Sequence, residues 1–318
     1  MKKSLSIAVS LALLIVIYHL KIDIGALFGV FSRADNRFLF MGVGTILPLT
    51  LLIAWRFNQL MPSDRRPSFL VVLGLTLSAG SLNMLLPLKM GDLAKAVFMR
   101  DSGHFTGEMS LSLVTFEKVL DMVCLLSWCA IGLLLYPYSS PAFLLTTALV
   151  ISGFAFGTAF LSSNRFALLC FRRGQACLPV RFHDNLRGMS ENWVELTRYF
   201  FADTGRTLNI LLASLMIWFL QLLQIWLFIE AMGGSAPFLF NLAFSPIVVL
   251  AGVMPLTFAG LGTRDAALIF LFQQYIDAPV AAAVALLCTS RYILPALAGL
   301  PFLDKYMRLV KKRRFDKQ

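Results

Sequence analysis

The residues with chemistry to offer in this chain are charges that stand beside proline and glycine inside long apolar runs. Lys89, Asp92 and Lys95 follow Pro87 and flank Gly91 in the stretch from Leu82 to Lys95. Arg264 and Asp265 follow Pro255, Gly260 and Gly262 in the stretch from Met254 to Ala267. A spacing of three places Lys89, Asp92 and Lys95 along one side of a restarting helix. The free N–H groups of such a helix start attract anions, and two lysines add to that pull. Asp92 is expected to cap the helix or pair with Lys95. The competing reading is that of lysines snorkelling from a helix end. For Arg264 and Asp265 it is an exposed ion pair in a Gly-rich turn.

Ionisable groups inside spans are costly and usually functional. Glu117, Lys118 and Asp121 lie in one apolar run, where Glu117 and Asp121 share a helix face and Lys118 points about 100° away. They either line a cavity or form an ion pair near the headgroups. Arg291 lies within the last apolar run beside Tyr292, and it requires a carboxylate, a phosphate or water. Asp265, Glu117 and a lipid phosphate are the expected partners. Gln221 and Gln224 share a face and suit hydrogen bonds between helices. No G-x-S-x-G, P-loop or H-E-x-x-H signature is present, so no catalytic residue, cofactor or metal site is expected. Three histidines and five cysteines without clustered spacing agree with that expectation.

These residues must be held by membrane helices. The mean hydropathy is +0.77, and hydrophobic residues make up 58% of the chain against 14% charged, which excludes an ordinary soluble domain. About six apolar runs are long enough, at about 20 residues each, to cross ~30 Å of hydrocarbon. The formal charge of +11 sits in loops and at the ends, as the positive-inside rule expects, so nucleic acid is not an expected partner. Full spans are expected at Ser4–Leu20, Phe38–Phe57, Glu108–Tyr136, Ala142–Leu161, Thr207–Met232 and Val280–Leu303. Ile22–Phe31 reads as an interfacial helix.

Arg56, Arg65 and Arg66 mark one cytoplasmic loop. Residues 163–206, with seven Arg and four acidic residues (7 − 4 = +3), form a cytoplasmic linker with amphipathic helices, for instance around Asn192–Phe201. The tail after Pro301 carries seven basic residues and two Asp (7 − 2 = +5) and is also placed inside. Parity then makes Ser68–Gly107 leave and return on the inner side, and Pro237–Ile276 on the outer side. The expected fold is an all-α polytopic membrane protein with about six full transmembrane helices and two broken, re-entrant segments in an inverted-repeat arrangement. It forms a single transmembrane domain over 1–318, with a first half of about 1–162, the linker 163–206, a second half 207–304 and a basic tail 305–318.

At these residues the chain resembles the flippase-like family defined by the transmembrane region of lysylphosphatidylglycerol synthases. Pro87, Lys89, Gly91, Asp92, Lys95, Glu117, Lys118 and Asp121 fit its first signature in order. Pro255, Gly260, Gly262, Arg264 and Asp265 fit the second, and Arg291 fits an arginine of the final span. Lys89 and Lys95 stand where arginine is common in the family, and Asp92 and Asp265 where glutamate is. A lysine lacks the bidentate fork of arginine, so headgroup preference is expected to differ. The resemblance is to a stand-alone member without the aminoacyl-transferase domain, which implies no lipid-aminoacylating activity. It implies a flippase of a bacterial or archaeal inner membrane, while the terminal charges place both termini on the cytoplasmic side. Its partner would be a membrane lipid with an anionic or polyprenyl-phosphate-linked headgroup. A membrane glycosyltransferase or lipid-modifying enzyme and a non-transporting membrane scaffold are the rival readings.

Overall fold

The computed structural model describes residues 24–85, 91–136, 140–177, 179, 183–253 and 262–315. The first expected span, Ser4–Leu20, lies outside them, as do Pro87, Lys89, Pro255 and Gly260. Helices account for the described architecture: α1 Ile24–Ser32, α2 Asn36–Gly44, α3 Ile46–Leu60, α4 Phe69–Leu85, α5 Gly91–Asp101, α6 Gly107–Leu135 and α7 Pro141–Ser162. The second half continues with α8 Asn164–Cys177, α9 His183–Phe201, α10 Thr204–Ala231, α11 Phe238–Val253, α12 Thr263–Phe272 and α13 Ala278–Phe315.

Caps set several starts. Asp35, Thr106, Ser140 and Asp203 each accept a backbone N–H of the helix that follows, which satisfies donors that a helix start otherwise leaves free. Pro141, at the first helical position of α7, has no N–H to waste there.

Five stretches among the described residues are long and apolar enough to cross a membrane: Asn36–Leu60, Gly107–Leu135, Pro141–Ser162, Thr204–Ala231 and Ala278–Asp304. They coincide one for one with the expected spans after the first. Leu144, Leu145, Leu149 and Phe156 of α7 are exposed, a face that only lipid or a protein partner tolerates in such density. This is an all-α polytopic membrane protein. The linker is helical as expected, and α9 is docked as well as amphipathic. Its Trp193 is fully buried against Phe116, Phe160 and Phe171.

The broken segments are two helical hairpins. With 17 and 16 residues, α4 and α11 fall short of the ~20 that a crossing requires. Near the base of the first hairpin, Tyr306 of α13 stacks on Phe98 of α5 and donates to the Val71 carbonyl of α4. Gly91 meets α4 further along, where a Cβ would fall 2.1 Å from the Ala79 carbonyl oxygen. Entry and exit therefore lie side by side. In the second hairpin Phe240 of α11 packs on Phe272 and Tyr275, at the end of α12. Tyr136 closes that base from the end of α6 through Phe240 and the Tyr275 hydroxyl. The first base adjoins the start of α6 and the end of α13, while the second adjoins the end of α6 and the start of α13. The hairpins thus enter from opposite ends of the same two spans, the inverted order that loop charge led us to expect.

Each hairpin leans on the span that follows the other: α4 packs along α13, and α11 along α6. A glycine permits each crossing. A Cβ on Gly299 would stand 2.2 Å from the Leu77 carbonyl oxygen, and one on Gly132 would stand 2.4 Å from the Ala243 nitrogen. Small residues of this kind let membrane helices approach closely. Interhelical hydrogen bonds add to them. Ser81 donates to the Ala296 carbonyl at 2.6 Å, and Gln224 donates to the Gly42 carbonyl at 2.8 Å. Gly299→Val and Gly132→Val should each destabilise by about 1–3 kcal/mol through overpacking, read as a lower unfolding midpoint in detergent. Gly174→Ala, where nothing lies within 4 Å, should not lower it.

Candidate functional site

Glu117 is 2% exposed and is shared by two bases from different helices. Lys95 Nζ of α5 donates to its Oε2 at 2.8 Å. Arg56 Nη2 of α3 reaches its Oε1 at 3.4 Å, and Arg56 Nη1 binds Asp121, one turn further along α6. Ser214 of α10 faces the same Nη1 at 3.4 Å. The Lys95 ammonium also sits 3.2 Å from the centre of the Phe57 ring, where the ring face attracts a cation. Around the helix, Lys118 pairs with Asp92 at 2.9 Å, and Asn83 of α4 donates to the same carboxylate at 3.4 Å. The charges balance within the cluster: Arg56, Lys95 and Lys118 against Asp92, Glu117 and Asp121.

A balance of this kind is what burial demands. Moving an ion out of water costs several kcal/mol, which only a close partner and full hydrogen bonding offset. The helix period sorts the partners. Glu117 and Asp121 face α3 and α5 together, and Lys118 reaches Asp92 on another side. Lys118 is the exposed edge, with 45% of its side chain accessible.

The second hairpin carries a separate arrangement. Gly262 has φ of 100° and precedes α12, a backbone region that favours glycine. Asp265 caps the helix by accepting the Gly262 N–H at 3.2 Å. It also accepts Arg264 Nε at 2.9 Å and Nη2 at 2.6 Å. The same guanidinium reaches α13, donating to the Ala285 carbonyl at 3.0 Å and to the Thr289 hydroxyl at 2.9 Å. Arg264 therefore fastens α12 to the last span.

Arg291 is 8% exposed and donates from Nη1 to Gln221 of α10 at 3.5 Å. It lines a cavity of about 160 Å³ between α3, α4, α10 and α13, together with Thr50, Thr76 and Tyr292.

The eight expected site residues that are described fall into three groups. Lys89 lies outside the described residues. Asp92, Lys95, Glu117, Lys118 and Asp121 gather at the first hairpin, Arg264 and Asp265 at the second, and Arg291 at the cavity wall. Three expectations are corrected. Asp92 pairs with Lys118 and not with Lys95, because Lys95 projects to Glu117. Arg291 holds neither Asp265 nor Glu117, because those carboxylates are taken by Arg264 and by Lys95 with Arg56. Arg56 is no loop residue: it lies within α3 at 1% exposure. Its signal was its place inside the expected span Phe38–Phe57, but the charges at Asp64, Arg65 and Arg66 drew it into the loop. Of the expected breaks, Gly91 stands in close approach to α4 and Gly262 has a positive φ. Among the described residues no group of three metal-ligating side chains comes together.

The family described as Lysylphosphatidylglycerol synthase TM region matches residues 4–299. A search of curated proteins returns no match.

Arg56→Met strands Glu117 and Asp121 one turn apart without their shared base. A loss of about 3–5 kcal/mol is expected, as for breaking a buried pair from one side. Arg65→Met, in the exposed pair with Asp64, should stay within about 0.5 kcal/mol. Unfolding in detergent measures both.

Proposed function

We propose, from the premise that the chain belongs to the family of the lysylphosphatidylglycerol synthase TM region, that it is a lipid flippase. It would move a phosphate-bearing lipid or lipid-linked precursor between leaflets, with no bond made or broken. The observation that carries this reading is the pair of re-entrant hairpins, based at opposite ends of α6 and α13, which bring charged side chains into an apolar interior. Irregular backbone at membrane depth is tolerated where it is enclosed by protein or lines a watery cavity. Inverted hairpins are a recurrent build of alternating-access transporters.

In this reading the headgroup enters between the hairpins while its tails remain in lipid. The half-exposed Lys118–Asp92 pair is the first charge it meets, and Arg291 stands deeper. Loop charge supports cytoplasmic termini, and the membrane of this reading is a bacterial or archaeal inner membrane. On that orientation α4–α5 enters from the cytoplasmic face and α11–α12 from the opposite one.

Proteoliposomes with fluorescent phospholipids test the reading by reduction of the outer-leaflet label. Exchange should depend on the protein and slow about tenfold in Asp92→Asn and Lys118→Gln, a barrier raised by about 1.4 kcal/mol. Protein-independent exchange for every lipid tried contradicts the function. Unchanged exchange in both variants contradicts the role of that pair.

A further inference from the structure

Arg56, Lys95 and Arg264 each hold a carboxylate. Arg291 is the buried base that holds none among the described residues. Its Nη1 reaches only the neutral Gln221, and neither Nε nor Nη2 has an acceptor among the described residues. A guanidinium does not give up its proton in a protein, so at this depth it calls for an anion.

A second orphan belongs to a residue of the same cavity wall. Thr76 Oγ1 of α4 is buried with no partner among the described residues, and Thr76 lines the cavity with Arg291. A helical threonine ordinarily satisfies its hydroxyl on a carbonyl one turn back, as Thr50 does to Ile46 at 2.8 Å. Thr76 does not. Gln221 adds an amide, while Ile46, Leu49, Ile53, Leu77 and Pro295 make the remaining wall apolar. A charged donor pair, a hydroxyl and a greasy wall describe a ligand with a small anionic group joined to hydrocarbon.

Charge sets how anionic that group is. The first cluster pairs three bases with three acids (3 − 3 = 0), and Arg264 is matched by Asp265 (1 − 1 = 0). Among the described buried residues, Arg291 leaves a surplus of one positive charge.

We infer that the Arg291 cavity binds the single phosphodiester of a membrane phospholipid. Nε and Nη2 form the two prongs of a fork that matches two phosphate oxygens, and the Thr76 hydroxyl donates to a third. This rests on the lipid-transport reading and narrows its cargo. A diphosphate-linked precursor brings at least one charge more than the site compensates, and burying an unpaired charge is strongly unfavourable.

The full chain in phospholipid-free detergent tests this by its unfolding midpoint, titrated with phosphatidylglycerol, diacylglycerol, a short polyprenyl diphosphate or inorganic phosphate. Phosphatidylglycerol should raise the midpoint and diacylglycerol should not. The half-saturating phosphatidylglycerol concentration should rise at least about tenfold in Arg291→Gln and in Arg291→Lys, which keeps the charge but loses the fork. Thr76→Val should show a smaller rise, and Arg65→Gln none. A half-saturating concentration unchanged from wild type in both Arg291 variants overturns the site. So does tighter binding of the diphosphate, or inorganic phosphate reproducing the whole lipid effect. Leaflet exchange measured in parallel separates the two readings. Arg291-dependent binding without wild-type exchange contradicts transport and leaves the site standing. Wild-type exchange with binding unaltered in Arg291→Lys contradicts the site and leaves transport standing.

Discussion

Glu117 holds two cations that come from helices far apart in the chain, Arg56 of α3 and Lys95 of α5. In a medium of low dielectric constant neither cation tolerates isolation, and neither does the carboxylate. The three therefore fix one another, and with them the seating of the first hairpin against α6. Asp121 completes the arrangement one turn further along. Arg56, Lys95 and Glu117 are buried, and together with Asp121 they are neutral, which suits a fastener. A site that must accept a charged guest needs the opposite property, an unmatched charge, and that is found at Arg291.

The rest of the bundle follows from hairpins that are too short to cross. A helix of 16 or 17 apolar residues that turns back must cover its polar ends with protein. Here α13 covers α4 and α6 covers α11, so each half closes the other. Glycine at both crossings, Gly132 and Gly299, lets backbones approach where larger side chains would wedge them apart. The basic residue on the second helix of each hairpin then bonds to the next span: Lys95 to Glu117 of α6, and Arg264 to Thr289 of α13. The halves use the same plan with different chemistry, an ion pair in one and neutral acceptors in the other. Among the described residues, that difference leaves the one buried base without a carboxylate, Arg291, in the second half.

Much of this was legible in the sequence. Hydropathy placed the described spans within a few residues, as with Ala142–Leu161 against Pro141–Ser162, because membrane thickness dictates their length. Loop charge and parity set the hairpins in opposite directions. The helical period separated Lys118 from Glu117 and Asp121. Pairing between helices was not legible, since spacing along one helix says nothing about which neighbour stands opposite. Asp92 therefore seemed to belong with Lys95, and Arg291 with a carboxylate. Arg56 was lost to a loop because charge counting does not distinguish a buried arginine from a solvated one. Nothing in the sequence marks Thr76, whose orphaned hydroxyl becomes visible only beside Arg291.

Lys95 and Glu117 stabilise the bundle as a pair and not as separate residues. A double-mutant cycle of Lys95→Met and Glu117→Met, followed by unfolding in detergent, measures this directly. A coupling of about 2–3 kcal/mol is expected, with the double variant more stable than the single losses would sum to. Losses that add to within about 0.5 kcal/mol would contradict the account.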